Sequence, residues 1–145
     1  LPPPRVDFYL SETAGLDARV RLACRIVEKA YLAKQRVVVF CDDAALLSKV
    51  DELLWTFADG TFVPHDIVGA DGRCDAPVAL TTGALPPGHT DVLVNLGNIV
   101  PPSFEKFARV AEFLDARPEV RSAGRERFKV YRGKAIEPQT HNVGS

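Results

Sequence analysis

The chain has no methionine, a single tryptophan, three histidines and three cysteines in 145 residues. With no methionine, Leu1 is expected not to be the native first residue. The cysteines, Cys24, Cys41 and Cys74, form no CxxC pair. An odd, widely spaced set argues for reduced thiols in a cytoplasmic protein, and against a disulfide framework or a zinc site. His65, His89 and His141 stand far apart, in no ligand-type spacing with each other or with cysteine, so no metal is expected. No stretch approaches the roughly 18 consecutive apolar residues of a membrane span. The opening Leu1-Pro2-Pro3-Pro4-Arg5 has no apolar core of a secretory signal. Charge of one sign is also missing: the formal net charge is −1. A domain gripping nucleic acid by its phosphates is expected to be basic, so any contact with nucleic acid should be indirect.

Phosphate-binding loops are absent too. The turn after the first expected strand, Leu10-Ser11-Glu12-Thr13-Ala14-Gly15, has one glycine and no GxGxxG, and GxxxxGK[ST] occurs nowhere. Nucleotide hydrolysis is therefore not expected, and no cofactor is implied. The acidic pairs offer little more. Asp42-Asp43 fits a helix N-cap, and Asp51-Glu52 falls on an exposed helical face.

What is present alternates between two periods. Arg5–Leu10 reads as a strand. Leu16–Lys34 repeats Leu16, Val20, Ala23, Cys24, Val27, Ala30 and Tyr31 at helical spacing. Arg36–Cys41, Pro77–Thr81 and Asp91–Leu96 are short apolar runs, which suit strands covered on both faces. A helix from Asp42 or Asp43 to about Phe57, a short one opening at Pro101-Pro102-Ser103, and one from Pro118 to about Lys134 complete the pattern. Arg109–Leu114 fits helix or strand. The prediction is a single Rossmann-like α/β domain over residues 6–134, with a mainly parallel sheet flanked by helices. Residues 1–5 are expected to be a flexible arm and 135–145 a flexible tail.

Two helical faces are anomalous. In the second helix the core stripe is Leu46, Val50, Leu53, Leu54 and Phe57. At about 100° per residue, Trp55 points away from it, beside Ser48, Asp51 and Glu52. Either the loop carrying Phe62 covers this tryptophan, or the two form an exposed aromatic patch for a partner. In the last helix Arg121, Arg125, Phe128, Lys129 and Arg132 share an arc of about 100°, while Ala123, Arg127, Val130 and Lys134 lie on the other side. This is either a solvated charged face or a seat for an acidic peptide ending in an aromatic residue. Arg127, off the stripe, is expected to be neutral in any such binding.

Four segments then carry a resemblance: Phe8-Tyr9-Leu10; Leu53-Leu54-Trp55 with Phe62-Val63-Pro64-His65; Asp91–Leu96; and Arg125-Glu126-Arg127-Phe128-Lys129-Val130-Tyr131-Arg132. In this order and spacing the chain resembles the chi subunit of bacterial DNA polymerase III from about Val6 to Arg132. The resemblance implies a Rossmann-like fold without nucleotide chemistry: a non-catalytic subunit of the polymerase holoenzyme's clamp-loader complex. It implies the psi subunit, or a competing helicase, as partner of Trp55 and Phe62. It implies the acidic, Phe-ending C-terminal tail of single-stranded-DNA-binding protein as partner of the basic helix. Arg125 and Lys129 match basic positions of that tail site, and Leu114 matches an apolar pocket position, which favours a strand for Arg109–Leu114. Phe128 stands where the family usually has tyrosine. The alternative is a small Rossmann-like nucleotide-binding enzyme, using polar groups near Ser11, Asp42 and Asn95.

Overall fold

Val37–Phe40, Val78–Thr81 and Val92–Asn95 are buried at every position. Strands with no exposed face need cover on both sides, and the chain supplies it. A computed structural model describes residues 2–56 and 62–143. In chain order it contains β1 Arg5–Ser11, α1 Leu16–Leu32, β2 Val37–Phe40, α2 Ala44–Thr56 and β3 His65–Ile67. There follow β4 Val78–Thr81, β5 Val92–Asn95, a 3-10 turn Phe104–Lys106, β6 Arg109–Leu114, α3 Pro118–Gly133 and β7 Gln139–Val143. The strands form one sheet in the order β3-β4-β2-β5-β6-β1-β7. Every pairing is parallel, so the domain is α/β with Rossmann-like layering.

Alternation along the strands divides the core in two. Val37 and Val39, Val92 and Val94, and Ala111 and Phe113 meet α1 and α2. Phe8, Val38, Leu93 and Val110 meet the other layer, built from Phe104, Phe107 and Tyr131. The ambiguous segment Arg109–Leu114 is a strand, in register with Arg5–Leu10. Asp43 caps α2, its Oδ1 accepting from Leu46 N at 2.8 Å. Asp42 instead accepts from Asn98 N at 3.0 Å and pins the loop after β5. In α2 the buried residues are Leu47, Val50 and Leu54, with Leu46 and Leu53 partly buried around them. Phe57, expected in that stripe, lies outside the described residues.

Strands reach into both of the ends expected to be flexible. β1 begins at Arg5, and residues 139–143 of the expected loose tail form β7, paired to β1 from Asp7↔Gln139 to Ser11↔Val143. The sequence Gln-Thr-His-Asn-Val has no apolar alternation because β7 is an edge strand, exposed or half-buried throughout. Polar contacts hold it. His141 Nε2 lies 2.8 Å from Asp7 Oδ1, and the His141 ring stacks on Tyr9 with centroids 4.9 Å apart. Asp7 is fully buried and also meets Arg5 at 3.0 Å and Arg109 at 3.1 Å.

Burial alone would raise the Asp7 pKa. The His141 hydrogen bond and the charges of Arg109 and Arg5 outweigh it and hold the carboxyl below its ordinary value of 3.8. A depressed folded pKa gives stability that is fully present above 3.8 and lost as pH falls through the folded value. Asp7→Asn is therefore expected to destabilise the domain by about 1–3 kcal/mol at neutral pH. The gap from wild type should shrink below about pH 4. Urea melts across pH 2.5–7 check it; a gap that stays constant or widens on acidification contradicts the assignment.

Candidate functional site

The last helix presents its basic side over the β1–β6–β7 end of the sheet. Gly124 makes the close approach possible. A Cβ there would lie 2.5 and 2.6 Å from the two δ-carbons of Leu114, so the leucine packs directly under the helix backbone. A groove of about 370 Å³ opens beside it, lined by Arg121, Arg125, Phe128, Lys129 and Arg132 of α3 and by Phe8, Leu10, Leu114 and Thr140 of the sheet. Phe128 is half-buried against the buried Phe8, ring centroids 5.3 Å apart. All six residues assigned to the basic site by sequence, including Leu114, thus come together.

The cations differ in what else they hold. Arg121 is committed to the fold: Nε donates to Asp115 O at 2.8 Å and Nη2 to Ser11 O at 2.9 Å. Lys129 pairs with Glu126 at 3.2 Å and Arg132 with Glu137 at 3.3 Å, all four side chains well exposed. Such surface pairs are worth about 0–1 kcal/mol and are readily exchanged for an incoming carboxylate. Arg125 is exposed and has no ion-pair or hydrogen-bond partner among the described residues. Sequence reasoning missed Phe8, Leu10, Gly124 and Thr140 as groove residues. The pairing of Phe8 with Thr140 could not be seen without β7.

Arg127, off the stripe, lies in the core and is 2% exposed. Nε donates to Glu112 Oε1 at 2.9 Å and Nη1 to Asn98 O at 3.2 Å. The other oxygen of the fully buried Glu112 accepts from Tyr131 Oη at 2.7 Å and Asn95 Nδ2 at 2.9 Å. Burial, then the charge and hydrogen bond of Glu112, raise the Tyr131 pKa, so its phenol remains the donor. Of the polar groups the enzyme reading named, Asn95 belongs to this cluster and Asp42 is bonded to Asn98 N. Asn95 also donates to Ile99 O at 2.9 Å and accepts from Gly97 N at 2.9 Å. Ser11 Oγ bonds to Thr13. Among the described residues no group of three or more His, Cys, Asp or Glu lies together as a metal site. No described helix is long and apolar enough to cross a membrane.

The aromatic pair lies at the other end of the sheet. Trp55 is 61% exposed and Phe62 51%. Their ring centroids are 5.0 Å apart, so the loop residue lies against the tryptophan without covering it. His65 backs both, edge-on to Trp55 at 5.1 Å. Its Nδ1 lies 2.7 Å from Val63 O and its Nε2 3.1 Å from Asp51 Oδ1 of α2.

These features define the class first: a Rossmann-like α/β domain whose carboxyl-edge polar groups are tied up internally, with a basic groove and an aromatic patch open at its surface. Residues 4–139 match the family model described as "DNA polymerase III chi subunit, HolC". The chain is 39% identical to DNA polymerase III subunit chi of Pseudomonas aeruginosa over 139 residues, 96% of each chain. It is 29% identical to the subunit of that name in Escherichia coli K12 over 130 residues, 86% of this chain and 88% of the other. With that of Haemophilus influenzae it shares 26% over 140 residues, 95% and 96% of the two. The chain belongs to the DNA polymerase III chi subunit family.

Proposed function

We propose that this chain is a non-catalytic accessory subunit of the DNA polymerase III clamp-loader complex, acting in replication in the cytoplasm. In this reading it binds the psi subunit, or a helicase in its place, through Trp55 and Phe62. Its α3 groove receives the acidic C-terminal tail of single-stranded-DNA-binding protein. It has no polymerase, nuclease or ATPase activity of its own. The observation that carries the reading is the groove, where a seat of Leu114, Phe128 and Phe8 is overhung by four cations. An acidic peptide with a terminal phenylalanine satisfies both halves: the ring takes the apolar seat and the carboxylates take the cations. Arg125 receives the terminal carboxylate, because its guanidinium is uncommitted among the described residues and can grip both oxygens.

Titration of a labelled tail peptide tests this. Arg125→Ala is expected to weaken binding about tenfold, the low end for a charge-assisted hydrogen bond because the site is exposed. Affinity should fall with salt. The exposed Lys106→Ala is the control. Equal affinity of wild type and Arg125→Ala, or no dependence on the peptide's final phenylalanine, contradicts the assignment.

Gly124→Ala probes the seat. Alanine gains up to about 1 kcal/mol of helix propensity over glycine. Its methyl displaces Leu114, at an overpacking cost of about 1–3 kcal/mol. Stability is expected to fall by no more than about 2 kcal/mol while peptide affinity falls at least about fivefold. Unchanged affinity would place the terminal ring elsewhere.

A further inference from the structure

On the side of the sheet that carries α1 and α2, helix cover stops short of the β7 edge. α1 packs across β1, β2, β5 and β6. Tyr9 of β1 and His141 and Val143 of β7 are left only half-buried, although a parallel sheet is ordinarily covered on both faces. A groove follows α1 beside them. One stretch, of about 180 Å³, starts at Ser11, and another, of about 420 Å³, reaches Leu32; they share Leu22, Arg25 and Val143. Leu22, Ile26 and Val143 supply an aliphatic strip along it, and Leu32 at the far end is 61% exposed. Arg21, Arg25 and Lys29 line the helical wall at i, i+4 and i+8, about 6 Å apart along the axis. All three are exposed and have no ion-pair partner among the described residues.

The geometry points to this groove as a third docking face, which takes the apolar side of an acidic amphipathic helix from a partner protein. A helix is about 10 Å across and fills the layer missing over β7, beside the half-buried Tyr9. Its apolar stripe covers Leu22, Ile26 and Val143. Its acidic residues, at the same i, i+4, i+8 spacing, meet Arg21, Arg25 and Lys29. Glu28 adds a requirement for a donor: its Oε2 is buried and has no hydrogen-bond partner among the described residues. A single strand of nucleic acid fits less well. Both faces of the Tyr9 ring are occupied, by Phe113 and His141, so it offers no stacking platform. The face lies on the opposite side of the sheet from the α3 groove, so the inference does not rest on the tail-binding reading.

The probe is a labelled synthetic helix of about five turns, leucine on one side and glutamate at i, i+4 and i+8. Its comparators are a scrambled peptide of the same composition and a single-stranded oligonucleotide. The helix is expected to bind saturably and more tightly than either. Arg25→Glu and Lys29→Glu should each weaken it at least about tenfold. Lys106→Glu should leave it unchanged, and Arg25→Glu should leave tail-peptide binding unchanged. No saturable binding, equal binding of the scrambled peptide, preference for the oligonucleotide, or indifference to both Arg25→Glu and Lys29→Glu overturns the proposal. So does a concentration-dependent dimer that Arg25→Glu dissolves, which would make a second copy the occupant.

Discussion

Arg127→Ala is expected to cost about 3–5 kcal/mol of folding stability, the range for removing one partner of a buried ion pair. The size of the loss comes from what remains behind. Glu112 is fully buried, and without the guanidinium it keeps only Tyr131 Oη and Asn95 Nδ2 as donors. A second buried arginine, Arg19, makes no hydrogen bond to Glu112 among the described residues. Arg19 Nε is committed to Phe113 O at 2.7 Å. Burial, and after it the charge of Arg127, push the Arg19 pKa down, while the charge of Glu112 acts in the opposite direction. The Asn98 carbonyl would also lose its donor from Arg127 Nη1, loosening the loop after β5. Urea denaturation of Arg127→Ala measures the loss, with Lys129→Ala as an exposed reference expected within about 0.5 kcal/mol of wild type. A loss below about 1 kcal/mol would show that the pair does not hold the fold together.

That arginine also marks where the sequence could be read and where it could not. β2, β4 and β5 are legible because a strand buried on both faces is written as an uninterrupted apolar run. The helix α1 is legible because its buried Val20, Ala23, Cys24, Val27 and Ala30 recur at helical spacing. The core side of α3 is Gly124, Arg127 and Tyr131. None of them looks like a core residue, and Val130, which does, is 45% exposed. A helical wheel gives angles but not which angle faces the sheet. It therefore put the groove cations on one arc and Arg127 off it, without telling that Arg127 faces the core. The edge strands failed for a related reason. β3 has three residues and β7 is polar, and an edge strand that pairs through its backbone needs no apolar pattern. Missing β7 meant missing Thr140 in one groove and Val143 in the other. The four quoted segments still identified the family, because they fall on β1, on α2 and the start of β3, on β5 and on α3, and none of them needs β7.

Trp55→Ala is expected to weaken binding of the psi subunit at least roughly 30-fold, corresponding to about 2 kcal/mol for a tryptophan at the centre of an interface. The fold should survive, because the ring is largely in water already. Surface substitutions of this kind shift stability by about 0.5 kcal/mol. The binding effect is large because the indole does not stand alone. Phe62 packs at 5.0 Å and His65 at 5.1 Å, so the patch presents a pre-assembled surface and loses little side-chain freedom when covered. The same stacking makes the two residues interdependent. Removing Trp55 takes away the support of Phe62, so Trp55→Ala with Phe62→Ala should cost less than the sum of the single losses. A helicase occupying the same patch should respond to the same substitutions and be displaced by psi. The measurement is a set of titrations with purified psi against wild type, both single variants and the double variant, with thermal melts alongside. Full additivity would break the patch into two unrelated contacts. Unchanged affinity in Trp55→Ala, with the melt also unchanged, would move the psi interface away from this end of the sheet altogether.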